Sequence, residues 1–320
     1  MGVPFQDLLN QVNLEFTTEF LTGVESIKQG IDLVWEFKTK TVYKPGTLTT
    51  VMGFLNEMPL FRPWDGDRRA VPMSVGSHSI TVKPYEWTVK VGRDDIKFDK
   101  QGILSYGMSG YGVAQQRLPS DLINDFQNAG TSKKCFNGQN FYDTSQPNGF
   151  NGRGGTFQNR FTSMDLTPAN LWTQYEYMTQ LVDGNGKRMG IRPNILEFGP
   201  GMINKARTAL SAEFIGKAMS STGVLDATSS VVGGVTVSNT AMGLVEPQYN
   251  PDLTTAMWYL HDTRFMKPFL YMVEQAPTGL ITRQNLDDPS VWSNKEFLWG
   301  SDAYVAATCT IPQLSQRNEV

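Results

Sequence analysis

From Ile31 to Trp87 the chain holds no helical period, although helical spacing both precedes and follows it. The turn signals Pro45-Gly46, Met58-Pro59, Arg62-Pro63 and Asp65-Gly66 interrupt extended segments throughout this stretch. Trp87-Thr88-Val89-Lys90-Val91 alternates as a strand with one buried face does, while Ile80 and Val82 alternate on the other parity, so a bulge is expected near Pro84. A segment so long, so often broken and without a helical face reads as a β-rich excursion over residues 41–92. The rest of the chain must supply the core.

Helical spacing places that core. Phe5, Leu8, Leu9, Val12, Phe16 and Phe20 recur at intervals of three and four and predict an amphipathic helix over 5–20, an arm that packs on something else. Leu104, Met108 and Tyr111, then Leu122, Phe126 and Ala129, predict a second helical region. Pro119 interrupts it and Ser120-Asp121 can cap a new segment, leaving one kinked helix or two. Thr167-Pro168 opens a helix with cap and first-turn proline in the favoured order; its stripe is Leu171, Tyr175, Met178 and Val182, and Asp183-Gly184-Asn185-Gly186 ends it. A strand over 194–198 leads into a helix with Ile203, Ala206, Leu210 and Phe214 on one face. Strand-like runs follow at 231–237, 257–260, 269–273, 297–298 and 304–311. Strands and helices do not alternate as βαβ units do, so the class is α+β.

Charge excludes some partners. With 28 Lys+Arg against 31 Asp+Glu the chain carries −3, without the basic field that holds nucleic acid by counterion release. Charged residues make up 18 % of the 320, below the usual quarter or so, which implies a partly apolar surface, some of it buried against other chains. The N-terminus has no basic signal region, and the longest uncharged stretch, Ala227 to Val245, is too rich in Ser, Thr, Asn and Gly to span a membrane, so a soluble protein is expected. Cys135 and Cys309 form no CxxC motif and read as two reduced thiols rather than a disulfide.

Catalytic patterns are weak. His78 reads as a solvated loop residue, and His261 as a strand-end residue bonded to Asp262. Asp94-Asp95 invites a paired-carboxylate reading, but acids where a strand ends and a helix starts more often cap free N–H groups. Gly184-Asn185-Gly186-Lys187-Arg188 fails the P-loop pattern because Leu181 stands where the first glycine belongs and Arg188 replaces Ser or Thr. No catalytic residue, metal site or cofactor is expected.

The ordered run of remaining motifs resembles one family. Val91-Gly92-Arg93-Asp94-Asp95-Ile96-Lys97-Phe98-Asp99 with Gly102 is similar to the V-x-RDDI-x-x-D-x-x-G segment of Mu-like phage major head subunits. Gly53 to Pro59 with Trp64-Asp65-Gly66-Asp67-Arg68, Tyr85-Glu86, Cys135 to Thr144, Arg192-Pro193-Asn194 and Phe297 to Ala303 match in the same order. Asn137 stands where that family often has Asp, and Tyr142 where it has Phe. The resemblance implies an HK97-type capsid fold: an arm over 1–40, an extended loop over 41–94, a peripheral domain with a spine helix over 95–164, an axial domain over 165–250, and a return to the peripheral domain over 251–320.

It also implies a function, the major capsid protein of a tailed double-stranded DNA phage, located in the virion. Its chains would form hexameric and pentameric capsomers of an icosahedral shell, with a separate scaffolding protein and a portal. The DNA is enclosed without sequence-specific binding, and no membrane is involved. A cellular nanocompartment shell of the same fold, or a hydrolase using Asp94 and Asp95, are the alternatives. Contacts between subunits are expected at the loop tip within 56–79, where Phe61, Trp64, Arg68 and Arg69 are of the types enriched at interface hot spots. Phe5, Leu8, Leu9, Val12 and Phe16 of the arm complete the expected contact set.

Overall fold

The structure, a computed structural model, describes residues 5–30, 35–43, 49–55, 75–98, 103–148, 155–184, 186–219, 225–226, 234–254, 256–285 and 289–320. The first half of the chain runs α1 (Phe5–Gly30), β1 (Thr39–Tyr43), β2 (Thr49–Leu55), β3 (Val75–Thr81), β4 (Lys83–Gly92), α2 (Arg93–Phe98), α3 (Ile103–Asn128), β5 (Gln146–Pro147), β6 (Thr156–Phe157) and β7 (Arg160–Phe161). It continues with α4 (Pro168–Thr179), β8 (Ile195–Phe198), α5 (Ile203–Ser211), β9 (Phe214–Met219), β10 (Leu225–Asp226), β11 (Gly234–Ser238) and β12 (Glu246–Tyr249). Last come β13 (Met257–His261), β14 (Phe269–Gln275), β15 (Ile281–Arg283), α6 (Pro289–Asn294), β16 (Glu296–Cys309), a 3-10 turn (Pro312–Leu314) and β17 (Ser315–Glu319). Two compact units result: residues 1–52, 79–125 and 269–308, and residues 53–78, 126–268 and 309–320.

In the first unit β1, β14, β16 and β15 lie side by side and β4 adds to β16. β4 and β16 are antiparallel from Lys83 opposite Val305 to Gly92 opposite Glu296. The alternation read from the sequence is real: Val91, Phe297 and Trp299 enter one apolar core with Leu9, Phe16, Phe20, Ile96 and Met108, and Trp87 and Val89 pack against it. Ile80 and Val82, on the opposite parity, join Met272 in a separate small cluster. The parity changes where β3 gives way to β4, so each run buries its own face. Residues 39–43 and 83–92 are thus sheet strands of this unit rather than parts of a free excursion, because β1 and β4 find partners in β14 and β16.

α3 runs unbroken through Pro119, one helix rather than two. Its glycines have a steric cause. A Cβ on Gly112 would stand 2.2 Å from the Phe20 carbonyl oxygen, and one on Gly23 of α1 would stand 2.0 Å from that of Ser109. The backbones of α1 and α3 touch there, which offsets the roughly 1 kcal/mol that a glycine costs inside a helix.

The second unit centres on the sheet β12-β8-β13-β17-β7. α4 begins where expected: the Thr167 side chain accepts from the Asn170 N–H and Pro168 fills the first turn. Leu171, Met178, Ala206 and Leu210 of α4 and α5 cover Leu196, Phe198, Trp258 and Leu260 on one sheet face. α5 stops at Ser211, so Phe214 opens β9 and is exposed, as is Ile203; neither joins Ala206 and Leu210 in the core. Residues 251–268 and 309–320 belong to this unit, because β13 pairs with β8 and β17 pairs with β13. The strand-like run read at 231–237 is met by β11, with 231–233 outside the described residues.

Candidate assembly surfaces

α1 carries its stripe inward. Leu9 and Phe16 are buried, Leu8 and Val12 pack against the same core, and Phe16 lies 4.8 Å from the Trp299 ring. The Asn13 side-chain oxygen accepts from Gln284 at 2.8 Å and from Trp299 Nε1 at 3.3 Å, pinning the helix to its own unit. Strands of the same unit thus cover Leu9 and Phe16, two of the stripe residues that the sequence offers as contacts to another chain. Phe5 starts α1, and its side chain is outside the description. The open face of α1 instead shows Leu14, 69 % exposed, and Leu21. Their spacing of seven residues, off the buried stripe, was the available sequence signal.

Phe61, Trp64, Arg68 and Arg69 lie outside the described residues. The strands that flank them, β2 and β3, pair as a two-stranded ribbon, with the Thr49 and Thr81 hydroxyls 3.2 Å apart. Around the start of α3, Phe98, Ile103 and Tyr106 are exposed, Tyr106 to 78 %. In the second unit Phe214, Met242, Tyr249 and Phe265 are exposed, Phe265 to 93 %. Exposed large apolar groups in such number mark surfaces that function covers.

The chemical candidates resolve as structure. Asp94 and Asp95 occupy the first turn of α2, and a Cβ on Gly92 would meet Asp95 Oδ2 at 2.7 Å, so the carboxylate folds back over the strand end. Asp183 and Lys187 close a tight turn, with Gly186 at φ +77°, which explains Gly186 without a phosphate. His78 lies in β3 rather than a loop. His261 ends β13 fully buried, and its Nε2 lies 2.9 Å from Glu197 Oε2, not bonded to Asp262 as expected. Asp262 instead receives the Arg192 N–H and the Arg264 guanidinium. Among the described residues no three His, Cys, Asp or Glu converge as a metal site, and no helix is long and apolar enough to cross a membrane.

Glu197 anchors a buried polar layer on the sheet face away from α4 and α5. Gln127 and Asn250 each donate to its carboxylate at 2.7 Å. Tyr142 bonds the Ser315 hydroxyl at 2.7 Å, and burial, with Tyr259 beside it, pushes the Tyr142 hydroxyl well above its ordinary pKa, so it stays neutral. The Asn159 amide donates to the carbonyls of Phe141, Pro312 and Ser315, while its oxygen accepts from the Asp143 N–H. Asn159 ties the 135–144 motif to β17, a role no local pattern announces.

The model of one protein family, Mu-like prophage major head subunit gpT, matches residues 9–164 and 230–319. The chain belongs to that family. It is 31 % identical over 110 residues to the major capsid protein of Escherichia phage Mu, covering 34 % of this chain and 36 % of that one. It is 31 % identical over 137 residues to the Mu-like prophage FluMu major head subunit of Haemophilus influenzae, covering 41 % and 44 %. The matches thus span less than half the length of these relatives. The procapsid of bacteriophage JBD30 aligns at a TM-score of 0.52 with 20 % identity, over 98 % of this chain and 75 % of that chain. The fold of this chain is therefore the α+β, HK97-type fold of phage capsids. Its family is one of structural head subunits.

Proposed function

We propose that the chain is the shell-forming major capsid protein of a tailed phage, closing into an icosahedral head around double-stranded DNA. Membership of the head-subunit family carries this reading, and the exposed apolar groups on both units support it. A flat set of identical chains closes into rings, and curvature between rings closes a shell. In this reading hexamers and pentamers form the capsomers, a separate scaffolding protein and a portal guide closure, and the near-neutral chain holds DNA without reading its sequence. Leu14, Leu21, Tyr106 and Phe265 then contact neighbouring subunits, together with Phe61, Trp64, Arg68 and Arg69 of the extended loop. The nanocompartment and hydrolase alternatives have no observation in their favour.

Electron microscopy and sedimentation of the purified chain, alone and with co-expressed scaffold, test the proposal. Rings or closed shells are expected, and a compact monomer under every assembly condition would overturn it. Replacing 58–78 with a short Gly-Ser turn should leave a folded subunit that builds no stable shells. Normal yield from that variant would remove the loop from the contact set.

A further inference from the structure

Cys135 and Cys309 come together in the second unit. Their Sγ atoms are 2.7 Å apart, closer than the roughly 3.5–4.0 Å of non-bonded carbon atoms at best contact. A disulfide bond of about 2.05 Å is then reached by a shift of under an ångström. Backbone bonds hold Cys135 in place: its N–H donates to the Gln139 carbonyl at 2.8 Å, and its own carbonyl accepts from Gly138 at 3.0 Å. Cys309 is the last residue of β16, and Cys135 Sγ donates to the carbonyl of the next residue, Thr310, at 3.2 Å. The sulfurs are thus brought together by two segments far apart in sequence. The two cysteines are not joined by a disulfide bond in this structure.

We propose that this pair is an oxidation site, converted by a hydroperoxide into a disulfide within one subunit. One thiol sulfur attacks a peroxide oxygen, the O–O bond breaks, and water leaves with the thiol proton, giving a sulfenic acid. The second sulfur attacks the sulfenic sulfur, the S–O bond breaks, and a second water leaves. Two thiols and one hydrogen peroxide yield one disulfide and two waters. Both side chains are buried, so the reaction waits on local opening of the 135–142 turn and is slow against that of an exposed thiol. Once formed, the bond ties that turn to the lead-in of β17 across a separation of 174 residues, a long loop of the kind whose closure most restricts the unfolded chain. The proposal stands independently of the shell reading.

The test treats the full-length chain with hydrogen peroxide, unfolds it in an alkylating reagent and maps the peptides without reduction. A linked Cys135–Cys309 peptide, a faster-running monomer on a non-reducing gel, and an unfolding midpoint raised by roughly 5 °C or more over the reduced protein are expected. Cys309→Ser should abolish all three, and the peptide map of the unsubstituted chain decides the matter even where that variant fails to fold. Full alkylation of both cysteines after peroxide, sulfinic acid without a linked peptide, or a ladder of disulfide-linked multimers would each overturn it.

Discussion

In the first unit β4 meets β16 across ten paired positions and presses Val91, Phe297 and Trp299 into an apolar core. In the second unit β17, Ser-Gln-Arg-Asn-Glu, is buried from Ser315 to Asn318 without one apolar side chain. The first arrangement needs only apolar area removed from water, which has no direction and tolerates changes of shape. The second rests on hydrogen bonds to partners elsewhere in the chain. Gln316 bonds Gln174, Arg317 donates to the Asn128 carbonyl at 2.8 Å, and the Arg317 N–H donates to the Asn159 carbonyl at 2.8 Å. Apolar packing degrades gradually, whereas a polar layer fails group by group, because each lost partner leaves a buried polar atom behind.

Substitutions sharpen that contrast. Glu197→Ala removes the acceptor shared by Gln127, Asn250 and His261 and should cost about 3–5 kcal/mol in denaturant unfolding; a loss under about 1 kcal/mol would mean the layer is not structural. Asn250→Leu keeps the volume but takes one donor from the carboxylate, for a loss of about 1.5–3 kcal/mol. Gly112→Ala forces α3 off the Phe20 carbonyl and should cost about 1–3 kcal/mol as overpacking, read as a lowered unfolding midpoint. Leu9→Met, a volume-conserving change in the apolar core, should stay under about 1.5 kcal/mol. A Leu9→Met loss larger than that of Asn250→Leu would break the comparison.

The smallest effect is one of pH. Burial raises the Glu319 pKa, but the Arg160 hydrogen bonds and the Arg317 charge outweigh it and hold the carboxyl below its usual value. A depressed folded-state pKa contributes stability above the unfolded carboxylate value of about 4.3, and that contribution disappears as pH falls through the folded value. Glu319→Gln should therefore lower the midpoint near neutral pH by a small amount, and the difference from the unsubstituted chain should close under acid. A difference that persists in acid would assign Glu319 a packing role instead.

Legibility in the sequence followed the same division. The Trp87–Val91 alternation, the α1 stripe and the Thr167-Pro168 helix start could be read because a periodic apolar face or a local cap has one dominant outcome. What covers Leu9 and Phe16 could not be read, since a stripe declares that it will be covered but not by what. β17 could not be read as a strand interior, and Asn159 gave no signal at all. The partner of His261 lies 64 residues away at Glu197, out of reach of any local pattern, while its neighbour Asp262 looked sufficient.

By itself the sequence determined the helix and strand periods, the α+β class and, through the order of its motifs, the family, because these depend on neighbours along the chain. Only the tertiary structure decided that Gly23 and Gly112 let two helix backbones touch, that Cys135 meets Cys309, and that five polar residues near the C-terminus form an inner strand. Those outcomes depend on distances between segments brought together by folding, and a polar side chain is stable inside only once its remote partner has arrived.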